Sequence, residues 1–118
     1  MSAVLLSGDL MVVSRVEGAA SRVGLPLRVA ATAARAEELC REQSTRLLVV
    51  DLTAPLLDIA ALTTAMKALC DGGPRIVAFG PHVHEARLAA AREAGCDSVV
   101  SRGQFFAQID AILEQGAR

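Results

Sequence analysis

A carboxylate set directly behind a run of apolar residues is the first feature of this sequence that could do chemistry. Leu47-Leu48-Val49-Val50 leads straight into Asp51. A charge at that place is partly desolvated unless a cation or hydrogen bonds compensate it. The compensation can be an ionic partner, or the backbone amides that loop aspartates commonly accept. Three other apolar runs close on polar residues, at Ser7-Gly8-Asp9, Gly80-Pro81-His82 and Ser101-Arg102. His82 and His84 stand two apart and, with Asp51, have the makings of a metal or proton-transfer site. No third nitrogen or sulfur ligand accompanies them, and solvated turn histidines are the commoner case. Cys40, Cys70 and Cys96 are an odd number without metal-ligand spacing. Free cysteines of this kind behave as small apolar residues in a reducing compartment. One glycine after the first apolar run is too few for a phosphate cradle, and no Gly-x-Ser-x-Gly elbow occurs. With no nucleophile and base paired, catalysis is not expected.

These residues need elements to hold them, and the pattern supplies five strands alternating with helices. Residues 3–6 form a short apolar run, and residues 10–23 recur at helical spacing until Gly24 and Pro26 stop them. Residues 27–31 read as a second strand, and Thr32 caps a helix reaching about Gln43. Residues 47–50 are the clearest buried strand. Asp58 then caps a helix running to about Cys70, ended by Asp71-Gly72-Gly73-Pro74. Residues 75–79, 84–94, 98–100 and 104–114 complete the series as strand, helix, strand and helix. Apolar strands joined by helical crossovers predict a parallel sheet with helices on both faces. Five units in 118 residues fit a flavodoxin-like, doubly wound (βα)5 fold in a single domain, residues 1–118. In such sheets the site lies beyond the carboxyl ends of the strands, where Ser7, Gly8, Asp9, Asp51, Gly80 and Arg102 all fall.

Composition removes several function classes. A formal net charge of −1 gives no field for nucleic acid, and three phenylalanines without Trp or Tyr give no stacking platform. No apolar run approaches the ~20 residues a bilayer requires. The opening Met1-Ser2-Ala3-Val4-Leu5-Leu6 lacks a basic segment and breaks at Gly8-Asp9, unlike a secretory signal. A cytoplasmic protein is expected, with neither nucleic acid nor membrane as partner.

The segment from Leu47 to Asp58, with Asp51, Pro55 and Asp58 in it, resembles the phosphoacceptor segment of response-regulator receiver domains. In that segment a strand ends in Asp, Pro follows four residues later and Asp three after that. Pro74-Arg75-Ile76-Val77-Ala78-Phe79-Gly80 is similar to the fourth strand of that family. Ala94-Gly95-Cys96-Asp97-Ser98-Val99-Val100-Ser101-Arg102 resembles the approach to its fifth strand, where Gly-Ala-Asp leads to a Lys-Pro pair. The resemblance covers essentially the whole chain. It implies Asp51 as the candidate phosphoacceptor, with Ser7, Gly8, Asp9, Thr53, Gly80 and Arg102 lining its site.

The departures are as informative. Receivers place two adjacent carboxylates after the first strand to hold a divalent cation; this sequence has Ser7-Gly8, with Asp9 one position further on. The hydroxyl residue ending the fourth strand is Gly80, the lysine is Arg102, the following proline is Gly103, and the aromatic three places earlier is Val99. Phosphoryl transfer to a carboxylate sets anion against anion and needs a metal to neutralise charge. Asp9 and Asp51 supply two carboxylates for magnesium only if Asp9 turns inward. The implied cofactor is therefore none, or weakly held magnesium on Asp9 and Asp51. Arg102 keeps the positive charge, but a planar guanidinium does not reproduce a lysine point charge.

The leading expectation is a pseudo-receiver, an interaction module of signal transduction that binds protein partners without phosphate. A working phosphorelay receiver on Asp51 is the alternative. A ligand binder or enzyme on the same fold, with Ser7, Gly80 and Arg102 lining its pocket, is a third reading. In receivers the fourth helix, fifth strand and last helix often form the partner or dimer surface. The alanine-rich helix of residues 84–94, from His84, and the last helix are thus the expected contact face, a homodimer among its forms.

Overall fold

Alternation within the strands sorts the apolar residues into two cores. In the computed structural model, which describes residues 2–69 and 71–117, strand β1 (Ala3–Leu6) sends Val4 and Leu6 to one face and Ala3 and Leu5 to the other. Strand β3 (Leu47–Asp51) does the same, Leu48 and Val50 against Leu47 and Val49. Successive strand residues point to opposite faces, so a strand covered on both sides must be apolar throughout.

With β2 (Leu27–Ala30), β4 (Arg75–Gly80) and β5 (Ser98–Ser101) these strands form one parallel sheet in the order β2-β1-β3-β4-β5. This is the flavodoxin-like order, with the direction of winding reversing beside β1 and β3. Helices α2 (Ala33–Glu42), α3 (Ile59–Lys67) and α4 (Glu85–Ala94) cover one face through Leu39, Leu62, Met66 and Leu88. Helices α1 (Leu10–Val23), α5 (Arg102–Ala107) and α6 (Ile109–Ala117) cover the other through Val12, Val16, Phe105 and Leu113. Phe79 stacks on Phe105 with ring centroids 4.2 Å apart, tying β4 to α5.

The caps explain where helices begin. Thr32 Oγ1 accepts the Arg35 amide at 3.2 Å and Asp58 Oδ1 the Ala61 amide at 3.0 Å, each satisfying a donor that has no partner within its helix. The final helical stretch differs from expectation: it starts at Arg102 rather than Gln104, and it is two helices. Ser101 accepts the Gln104 amide while the Gln104 side chain accepts the Ser101 amide, a capping box that draws the start back. At Gln108 the backbone leaves the helical basin, with φ −119° and ψ 17°, and α6 begins afresh. Helix α4 starts at Glu85, with His84 as its cap residue. Helix α3 ends at Lys67 with Ala68 as its cap residue, short of the expected end near Cys70; Cys70, expected as a free thiol, lies outside the described residues.

Candidate functional site

Parallel pairing of β1 with β3 sets Leu6 opposite Val50, which brings the next residues, Ser7 and Asp51, side by side. Both are almost fully enclosed, at 2% and 1% exposure. Ser7 Oγ donates to Asp51 Oδ2 at 2.8 Å. Thr53 donates twice to the other oxygen, from its hydroxyl at 2.7 Å and its amide at 3.0 Å. The desolvated charge anticipated at the end of β3 is therefore compensated by three hydrogen bonds, two of them from hydroxyls. Such bonds to an ionised acceptor are about twice as strong as neutral ones.

Asp9 engages partners other than Asp51 with its carboxylate. It is the cap residue of α1, with Oδ1 accepting the Met11 and Val12 amides at 2.9 and 3.3 Å. Its Oδ2 stands 3.6 Å from Arg102 Nη1. The Val12 amide foremost, then the Met11 amide and the Arg102 guanidinium, hold its carboxyl below the usual carboxylate range, against an opposing effect of burial. The positive charge just after β5 thus stands beside Asp9. Arg102 also lies 5.7 Å from the Phe106 ring centroid, and Arg15 lies over the same ring at 3.9 Å. No signal in the sequence singles out Arg15; its place follows only from the docking of α1 against α5 and α6.

Gly8, Asp9, Thr53, Ala54 and Pro55 line a shallow hollow over this corner of the sheet. Gly80 faces elsewhere. A Cβ on it would meet Leu52 Cβ at 3.4 Å and Leu88 Cδ2 at 3.8 Å, so its surroundings are the apolar packing beneath α4. Val99 is half-buried against the same core. His82 and His84 are both exposed, and among the described residues no three His, Cys, Asp or Glu side chains converge as a metal site would require. Cys40 and Cys96 are free thiols whose pKa is pushed up, chiefly by burial, the reverse of what a nucleophile needs.

The residues present do not fit a strong magnesium site. Magnesium wants carboxylate oxygens free on one side of a near-octahedral shell. Here one candidate is closed by two hydroxyls and an amide, and the other by a helix start and an arginine. No helix among the described residues is long and apolar enough to cross a membrane.

No family model and no curated protein matches the sequence. Solved structures do match the fold over nearly its full length. The receiver domain of a sensor histidine kinase from Pseudomonas aeruginosa, with magnesium coordinated in its active-site cleft, aligns with TM-score 0.82 at 18% identity, covering 98% of this chain and 95% of the other. A response regulator from Hahella chejuensis aligns at 0.81 and 19%, covering 97% and 93%. The receiver domain of a Saccharomyces cerevisiae response regulator, crystallised with its histidine phosphotransfer protein, aligns at 0.78 and 15%, covering 99% and 89%. Five parallel strands in receiver order, with helices on both faces, make this the flavodoxin-like fold of receiver domains.

Proposed function

We propose that this chain is a receiver-type signal-transduction module that acts by binding protein and does so without phosphorylation of Asp51. The observation that carries the reading is the closure of Asp51. Its carboxylate oxygens accept from Ser7 and Thr53, and Ser7 occupies a place where the resemblance calls for a metal-binding carboxylate. Phosphoryl transfer would have to break those bonds and bring an anion against an anion without a strong metal site to neutralise the charge. Removing one well-placed electrostatic donor from such a transition state costs about 3 kcal/mol, and here the second carboxylate, the lysine and the hydroxyl at position 80 are all replaced. The receiver of the yeast regulator, crystallised with a phosphotransfer protein, supports a protein partner as the kind of ligand such a module takes.

Titration with magnesium and beryllofluoride, a phosphoryl mimic, followed by amide NMR, tests the reading. No shifts at Ser7, Asp51 and Thr53 are expected at millimolar magnesium. Shifts clustered there and at Arg102, and lost in Asp51→Asn, would overturn it in favour of a phosphoacceptor that uses Asp51.

A further inference from the structure

A groove on the α4 side of the molecule shares Thr53 with the Asp51 corner and extends away from it. Its deeper part has a volume of about 310 Å³, walled by the segment of residues 52–59 on one side and by Arg87 and Ala90 of α4 on the other. That volume is within the range of sites that seat a ligand or an inserted side chain. An adjoining hollow shares Leu57, Ile59 and Ala90 and ends at Asp58 and Glu93. The groove is therefore of mixed lining in its deeper part and mostly apolar in the adjoining hollow, with a cation at one end and two carboxylates at the other.

Asp58 caps α3 through one oxygen, and the other two charges of the groove have no ionic partner among the described residues. Arg87 donates to the Leu52 carbonyl at 3.3 Å, and among the described residues neither Arg87 nor Glu93 joins an ion pair. Leu56, at the lip, is fully exposed (103%) with φ of +57°. A bulky non-glycine residue in that left-handed region is uncommon, and here the conformation holds an apolar side chain out into water.

We infer that the groove is the seat of a second copy of this chain, related to the first by a two-fold axis. In such an interface one patch faces itself with its ends reversed. The Arg87 end of one copy then meets the Asp58 and Glu93 end of the other, twice, while Leu56 of each copy enters the apolar stretch of its partner. The small side chains of Ala90 and Ala94 leave room for this approach. A small carboxylate ligand would engage Arg87 alone and leave both the leucine and the acidic end without a role. This inference rests on the reading of the chain as an interaction module, and it moves the expected contact away from the last helix to α4 and the 52–60 segment.

Sedimentation equilibrium of the full chain from micromolar to millimolar, without magnesium or beryllofluoride, reads the association. A dimer is expected. Arg87→Glu and Glu93→Arg, both at exposed positions, should each weaken it by about tenfold or more through like-charge contact. Mixed with each other they should regain a dimer, since one copy then presents only carboxylates and the other an added cation; circular dichroism checks that each is folded. A monomer throughout the range both without and with magnesium and beryllofluoride, a dimer indifferent to both reversals, or a mixture of the two variants that stays monomeric where the parent dimerises overturns the inference. A reversal-sensitive dimer that forms only with beryllofluoride and magnesium upholds this interface and overturns the phosphate-independent function instead.

Discussion

At the scale of single residues, Ser7 decides what Asp51 is. A serine beside a buried aspartate donates a hydrogen bond to the carboxylate and so does part of what a bound cation would do. Ser7→Ala would leave Asp51 Oδ2 buried without that donor, and an unsatisfied buried acceptor costs about 1–3 kcal/mol. The expected outcome is a loss of that size in urea unfolding. Ser7→Asp should behave differently, because it sets two carboxylates where a 2.8 Å hydrogen bond now lies, and like charges in contact disfavour each other's ionisation. That variant is expected to be less stable than Ser7→Ala without magnesium and to gain melting temperature as magnesium is added. A melting temperature indifferent to magnesium would mean that the corner cannot take the ion even with the second carboxylate restored.

At the scale of elements, the same corner shows a residue committed to structure that its sequence position had offered to chemistry. Asp9 holds the start of α1, and its folded pKa is depressed by the Val12 and Met11 amides and by Arg102. A depressed carboxylate contributes stability that is full above its unfolded pKa, near 4, and is lost as pH falls toward the folded value. Asp9→Asn keeps a good capping side chain but has no proton to gain. The stability difference between the parent and Asp9→Asn should therefore be constant near neutrality and shrink in the parent's disfavour below about pH 4, read from urea midpoints across a pH series. A difference that stays flat to low pH would show that the ionised form of Asp9 brings α1 nothing beyond a neutral cap.

The elements themselves were largely legible. β3 could be read because a doubly covered strand admits no polar residue before Asp51, and α2 and α3 because Thr32 and Asp58 are strong caps. The split at Gln108 was not, since Phe105, Ile109, Ile112 and Leu113 keep a helical spacing straight through it. Nor was the Ser7 to Asp51 hydrogen bond, between residues 44 apart in the chain. It follows only once β1 is known to lie beside β3, and local periodicity carries no information about which strands are neighbours. The Asp9 to Arg102 pair has the same origin: each end was marked as polar, and only the sheet order says which of the polar ends meet.

At the scale of the molecule, function turns on whether an event at Asp51 can reach the rest of the surface. Coupling between distant places needs an element with two discrete arrangements that both places bias. The resemblance to receivers implies such an element in a hydroxyl at the end of β4 and an aromatic ring on β5. Position 80 has no side chain, and the space a Cβ would enter is bounded by Leu52 and Leu88. Val99 is a short side chain packed on the core, with no ring to change sides. Restoring the metal corner should not restore transmission. In Ser7→Asp/Gly8→Asp, where a Cβ on Gly8 meets nothing within 4 Å, magnesium and beryllofluoride are expected to shift amides at residues 7–9, around Asp51 and at Arg102, and to leave Val99 and α4 where they were. Shifts that spread through β5 and α4 would show that the fold carries the signal by another route, and the module would then be a receiver lacking only its metal.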